Sequence, residues 1–142
     1  MLHDTELLQY VYKTADMGCE GIQSVIDRIS GDPLKNELMS QHNEYMNIRG
    51  EAQSLLESRN EQPRGIGTMA KMSADIMSAG KLMVDRTDSK IAEMTIQGNQ
   101  MGINKTTKHL HDYSGKDGAI RTLTEKLLAT EEANAKQLKN FL

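Results

Sequence analysis

Apolar residues recur along this chain in alternating steps of three and four, the spacing of one face of a long helix. Over 5–29 the stripe runs Leu8, Val11, Ala15, Gly18, Ile22, Val25, Ile29, and over 33–58 it runs Leu34, Leu38, Gln41, Tyr45, Ile48, Ala52, Leu55. Over 88–113 it runs Ala92, Ile96, Asn99, Ile103, Thr106, Leu110, Tyr113. Over 118–141 it runs Ile120, Leu123, Leu127, Thr130, Asn134, Gln137, Phe141, widened by Leu128, Glu131 and Leu138. A repeat near 3.5 residues held over three heptads predicts long helices packed at about 20° in a bundle. A shorter fifth segment, 68–85, carries Met69, Met72, Ile76, Ala79 and Met83 on one face. That Met stripe reads first as a face packed on the bundle and second as an adaptable partner surface.

The breaks between segments set the topology. Ser30-Gly31-Asp32-Pro33 reads as a stop and restart: Gly31 ends one helix, Asp32 caps the next, and Pro33 suits its first turn. Thr87-Asp88 offers a further cap, and Ser114-Gly115-Lys116-Asp117-Gly118 a tight turn. Short turns make antiparallel hairpins of 5–29 with 33–58 and of 88–113 with 118–141. The stretch 59–87 is long enough to cross the bundle from end to end. Two hairpins joined by one long crossover form the ferritin-like connection; an up-and-down bundle with a fifth helix alongside is the other arrangement that fits.

Composition agrees with one all-α domain over 1–142. Leu (14), Ile (10), Val (3) and Phe (1) are few, and Trp is absent, but ten Met add burial capacity and Pro occurs only twice. Cys19 is the single cysteine, which excludes an intrachain disulfide and a cysteine metal cluster and suits a reducing cytoplasm. The opening residues lack the basic and apolar regions of a signal peptide, and no apolar run nears the roughly 18 residues of a membrane span. A cytoplasmic protein with no membrane partner is the expectation. A net charge of −3 gives no electrostatic case for nucleic acid. The charge is uneven, with the acidic excess in 1–62 and the basic excess in 63–142. This is read first as attraction within one fold and second as a complementary interface with a protein partner or another copy.

Four stretches carry a resemblance: Met17-Gly18-Cys19-Glu20-Gly21-Ile22, Asp32-Pro33-Leu34-Lys35, the Met-rich crossover, and Gln97-Gly98-Asn99-Gln100. In these the chain resembles, over its whole length, a family of uncharacterised bacterial ferritin-like proteins grouped as a domain of unknown function. The resemblance implies a ferritin-like four-helix bundle. In that family the first and last of these stretches typically hold Gly-Glu-Glu-Gly and Gly-Glu-Asp runs. The family's first Glu therefore falls on Cys19, and its later carboxylate on Asn99.

A ferritin-like di-metal site takes one Glu from each of two helices and a Glu-x-x-His pair from each of the others, because bridging carboxylates neutralise two cations. Here Glu44 is followed at i+3 by Asn47, and Glu131 by Asn134; His42 lies five residues after Glu37. No Glu-x-x-His remains. The residues expected at mid-bundle are Gln41, Glu44, Asn99, Glu131 and Asn134, read as a hydrogen-bonded layer that fixes register. The leading expectation is a non-catalytic binding or structural module without cofactor or metal. The alternative is a divergent di-iron or di-manganese protein in storage or oxidant defence, with Glu20, Glu44 and Glu131 as the carboxylates to inspect.

Other motifs carry less. His109 and His111 are two apart on a helix and read as a solvated terminus, and His3 as a frayed tail. Cys19, with no basic neighbour in sequence, reads as small apolar filling. Gly65-Ile66-Gly67 follows no strand and lacks a phosphate loop's Lys-Ser/Thr. Gly18, Gly21, Gly50, Gly98 and Gly102 each cost about 1 kcal/mol of helix propensity. They imply close helix approach or room for a bulky neighbour such as Tyr45.

Overall fold

A computed structural model describes residues 1–64 and 87–142, and the expected helix over 68–85 lies outside them. The described residues form four helices: α1 (Asp4–Val25), α2 (Asp32–Glu57), α3 (Asp88–Asp112) and α4 (Gly118–Leu138). Single 3₁₀ turns follow α1 at Ile26–Arg28 and α4 at Lys139–Phe141. The predicted 5–29 helix therefore ends early. Ile29 is extended and seals the core beneath the turn. Gly31 serves as the N-cap of α2 rather than the end of α1, and Asp32 lies inside the first turn.

Each helix start is tied by a specific acceptor. Glu6 Oε1 accepts from the His3 amide at 3.2 Å, so His3 belongs to the cap of α1 and is not a frayed tail. Gly31 has no side chain to cap α2. The Asp88 carboxylate instead accepts from the Ser30 and Gly31 amides at 2.9 and 2.8 Å. Thr87 caps α3 through Lys90 N, and Asp117 caps α4 through Ala119 N and Ile120 N. Asn60, in the left-handed region with φ 60°, closes α2.

These ties fix the helix directions. Leu2 pairs with residues 112–114, so α1 begins where α3 ends: Leu2 N donates to Asp112 O, and Ser114 N to Leu2 O. Asp88, at the start of α3, binds the turn that follows α1. Hence α1 and α3 are antiparallel, and α2 and α3 run parallel. Arg59, just past α2, pairs with Asp4 at the start of α1 and Asp117 at the start of α4. The chain thus leaves α2 at one end of the bundle and enters α3 at the other. α1 packs chiefly on α2 and α3 on α4, and α4 also touches both helices of the first hairpin.

The core follows the predicted stripes with a wider face on α1. Leu7, Leu8, Val11, Ala15, Cys19 and Ile22 are buried there, because α1 packs on α2 and α4 together. Leu56 takes the core place expected for Leu55, the drift of a 3.6-residue helix against a 3.5 repeat, and on α4 Leu138 of the widened stripe is buried while Gln137 is exposed. Ile96, Ile103 and Leu110 on α3 are only half-buried.

Two interior glycines answer to neighbours. A Cβ on Gly18 would lie 2.7–2.8 Å from three ring carbons of Tyr45, and one on Gly102 would lie 3.0 Å from Glu131 Oε1. Around Gly98 there is open space. Gly18→Ala is therefore expected to destabilise by about 1–3 kcal/mol through overpacking, partly offset by propensity, whereas Gly98→Ala stabilises by up to about 1 kcal/mol. Urea midpoints of the two variants check this, and shifts of the same sign would refute the packing described.

Candidate functional site

The four helices meet at mid-bundle around the Tyr45 hydroxyl. The Tyr45 ring, from α2, rests against Gly18 of α1 and is 3% exposed. Its hydroxyl oxygen lies 2.9 Å from Glu131 Oε2 on α4 and 3.1 Å from Asn99 Oδ1 on α3. Glu131 lies over Gly102, where any side chain would crowd its carboxyl. Asn134, one turn further along α4, and Gln41, one turn before Tyr45, complete a buried polar band. Asn99 Nδ2, Asn134 Nδ2 and Gln41 Oε1 are buried there without a hydrogen-bond partner.

Burial sets the electrostatics. It raises the Glu131 carboxyl to about 7, against the opposing effect of the hydroxyl of Tyr45. It also holds the Tyr45 phenol well above its ordinary value, reinforced by the Glu131 charge. Tyr45 is therefore a neutral donor at physiological pH. Glu131 exchanges its proton near neutrality.

Of the expected polar layer, the structure brings Asn99, Glu131, Asn134 and Gln41 into the core and leaves Glu44 exposed. α2 turns Tyr45 inward, which carries its neighbour Glu44 out. Glu20 is half-buried on α1. Cys19 lies in the core as small apolar filling, its Sγ 4.0 Å from the His42 carbonyl oxygen. Sequence reasoning missed the Asp16–Arg49 ion pair at 2.7 Å, with Asp16 2% exposed. Its signal was Asp16 falling next to the apolar stripe one residue after Ala15. Arg49 supplies the basic neighbour that sequence did not show for Cys19, yet burial dominates and raises the thiol. His109 is also no free terminus. It meets the Tyr10 ring edge-on at 4.1 Å, and burial lowers its pKa. Tyr10 in turn shares a hydrogen bond with Thr106 at 2.9 Å.

The donor set does not fit a pair of metal ions. Among the described residues Glu131 is the one carboxylate in the mid-bundle cluster, and its Oε2 already faces the Tyr45 hydroxyl. Tyr45, Asn99 and Asn134 around it are neutral. Among the described residues no three His, Cys, Asp or Glu converge on one point. Two divalent cations need several bridging carboxylates, which this cluster lacks. An open groove between α2 and α4, lined by Met46, Gly50, Leu55, Ala119, Leu123 and Lys126 among others, shares no residue with the cluster. The exposed Lys126–Glu51 pair, 3.0 Å apart, joins the basic and acidic halves of the chain across that groove.

No protein-family model and no curated protein matches the chain. Among solved structures it is similar to a conserved hypothetical protein, rv2844, from Mycobacterium tuberculosis. The TM-score is 0.73 at 12% identity, over 98% of this chain and 96% of that one. The two share a fold. That fold is an all-helical bundle, and no described helix is long and apolar enough to cross a membrane.

Proposed function

We propose that this chain is a ferritin-like bundle that acts as a binding or structural module independent of metal, with a hydrogen-bonded cluster where such bundles hold a di-metal centre. The observation that carries this reading is the Tyr45 hydroxyl set between Glu131 and Asn99 at mid-bundle. Support for the ferritin-like topology comes from two antiparallel hairpins with α2 parallel to α3, the relation that a long crossover produces. Support for metal independence comes from the donors. Neutral amides are weak ligands for iron or manganese, Glu131 is the single carboxylate of the described cluster, and Glu44 faces outward.

In this reading the cluster specifies which faces of the hairpins meet. Buried polar groups cost stability unless they find their own partners, so a misregistered bundle would strand Glu131 and Asn99. The module's partner in this reading is another protein or a second copy of the chain, and exposed Met39, Met46 and Met101 provide adaptable apolar contacts on the outer faces.

Thermal unfolding of the full chain tests the reading, because a ligand that binds only the folded state raises Tm. In chelator, and after anaerobic loading with iron(II) or manganese(II), Tm is expected to be the same. A rise on loading that Glu131→Gln abolishes would overturn the proposal and establish a metal protein.

A further inference from the structure

The mid-bundle cluster presents more oxygen contacts than one hydroxyl proton can serve. Tyr45 Oη has short contacts to Glu131 Oε2 at 2.9 Å and Asn99 Oδ1 at 3.1 Å. Each such contact needs a proton between the oxygens, and a phenol carries one. Two arrangements supply the second donor without moving the helices. In the first, Glu131 holds a proton and donates it to Tyr45 Oη, while Tyr45 donates to Asn99 Oδ1. In the second, Glu131 is ionised and accepts from Tyr45. The Asn99 amide then turns about its last torsion, so that Nδ2 donates to Tyr45 Oη. In its present orientation that Nδ2 is buried without a partner, so the turn breaks no hydrogen bond of its own.

We propose that Tyr45, Asn99 and Glu131 form a proton-operated switch, in which one proton at Glu131 reverses the direction of the hydrogen-bond chain linking α2, α3 and α4. The inference rests on the hydrogen-bonded, metal-independent reading of the cluster given above.

The surroundings keep both states within reach near neutrality. From α2 the titratable group facing Glu131 is Tyr45, with exposed Glu44 acting on Tyr45 from behind. From α1 it is Tyr10, which feels the Glu131 charge. α3 presents Asn99 and Gly102, neither of which titrates, and α4 itself adds the neutral Asn134. No cationic side chain among the described residues pairs with Glu131. Burial therefore raises its proton affinity, to about 7, against the opposing hydrogen bond from Tyr45.

The two states differ in how firmly they join the hairpins. With Glu131 protonated, the chain runs from α4 through α2 to α3 and carries no charge. With Glu131 ionised, a charge lies in the core beside donors that are themselves neutral. The hairpins are held more tightly below neutral pH and more loosely above it.

The test is a pH titration of the full chain, ¹³C-labelled at glutamate and ¹⁵N-labelled throughout, followed by NMR in the presence of chelator. The side-chain carboxyl carbon of Glu131 is expected to titrate with a midpoint near 7, and the Asn99 side-chain amide and Tyr45 ring signals to move with that same midpoint. A Glu131 midpoint in the ordinary carboxylate range would overturn the switch, as would an Asn99 amide that stays still while Glu131 titrates. Glu131→Gln fixes a neutral donor at this position and should remove the shared transition from Tyr45 and Asn99; its persistence would also overturn the proposal. If that variant does not fold, the wild-type titration decides alone. Metal binding, by contrast, would show itself as a Tm rise without chelator, so failure of the switch and failure of the metal-independent reading are separate results.

Discussion

Tyr45→Ala is expected to destabilise the protein by about 4 kcal/mol, within the range for removing a buried aromatic ring. Two losses combine. The ring that fills the space above Gly18 disappears, leaving a cavity that the helix backbones cannot close. The Glu131 carboxyl and Asn99 oxygen also lose the hydroxyl between them. Tyr45→Phe separates the two effects, since it keeps the ring and removes only the hydroxyl. Leaving two buried oxygens without that partner is expected to cost about 1–3 kcal/mol. Urea denaturation of wild type and both variants measures each part. A phenylalanine variant as stable as wild type would mean that the hydroxyl contributes nothing to holding the cluster.

Stability is expected to fall by about 3 kcal/mol as pH rises from acidic values to above neutrality. The sign follows from Glu131. Its folded-state pKa of about 7 lies above the ordinary 4.5, so the folded state holds the proton more tightly than the unfolded chain does. The stabilisation is complete below about 4.5 and is lost progressively as pH climbs to about 7, at about 1.4 kcal/mol per pH unit. Above that, Glu131 contributes no further slope. His109 acts in the opposite sense. Burial lowers its pKa, so it adds stability as pH rises toward 6.5. Urea unfolding of wild type and Glu131→Gln across this range isolates the carboxyl. The variant should lose most of the decline, and an equal decline in both would assign it elsewhere.

The helices were legible in the sequence because each buries one continuous face. Leu34, Leu38, Tyr45, Ile48 and Ala52 on α2 are buried where a 3.5-residue repeat puts them. Turn chemistry located the hairpins, through Pro33 and the run from Ser114 to Gly118, but not the final turn of α1. There the chain tightens to 3₁₀ with no Gly or Pro to mark the change. The polar band was also legible as residue types on the core stripe, and Gly18 as room for Tyr45. Its connections were not. Glu44 and Glu131 are equally carboxylates in sequence, and only the rotation of α2 sends one outward while α4 buries the other. Ties between distant segments, such as Asp88 to the Ser30–Gly31 amides, Arg59 to Asp4 and Asp117, and Arg49 to Asp16, leave no periodic trace. They join residues by tertiary geometry, which single-chain spacing does not encode.

If, as proposed, a hydrogen-bonded cluster stands at mid-bundle in place of a ferritin-like metal pair, the chain retains no iron or manganese. Elemental mass spectrometry of the full chain, purified without chelator and then loaded anaerobically with iron or with manganese, measures this. The expected result is no retained metal under either condition, with the protein folded throughout. About two metals per chain, lost in Glu131→Gln, would contradict the claim and place a working di-metal centre at mid-bundle.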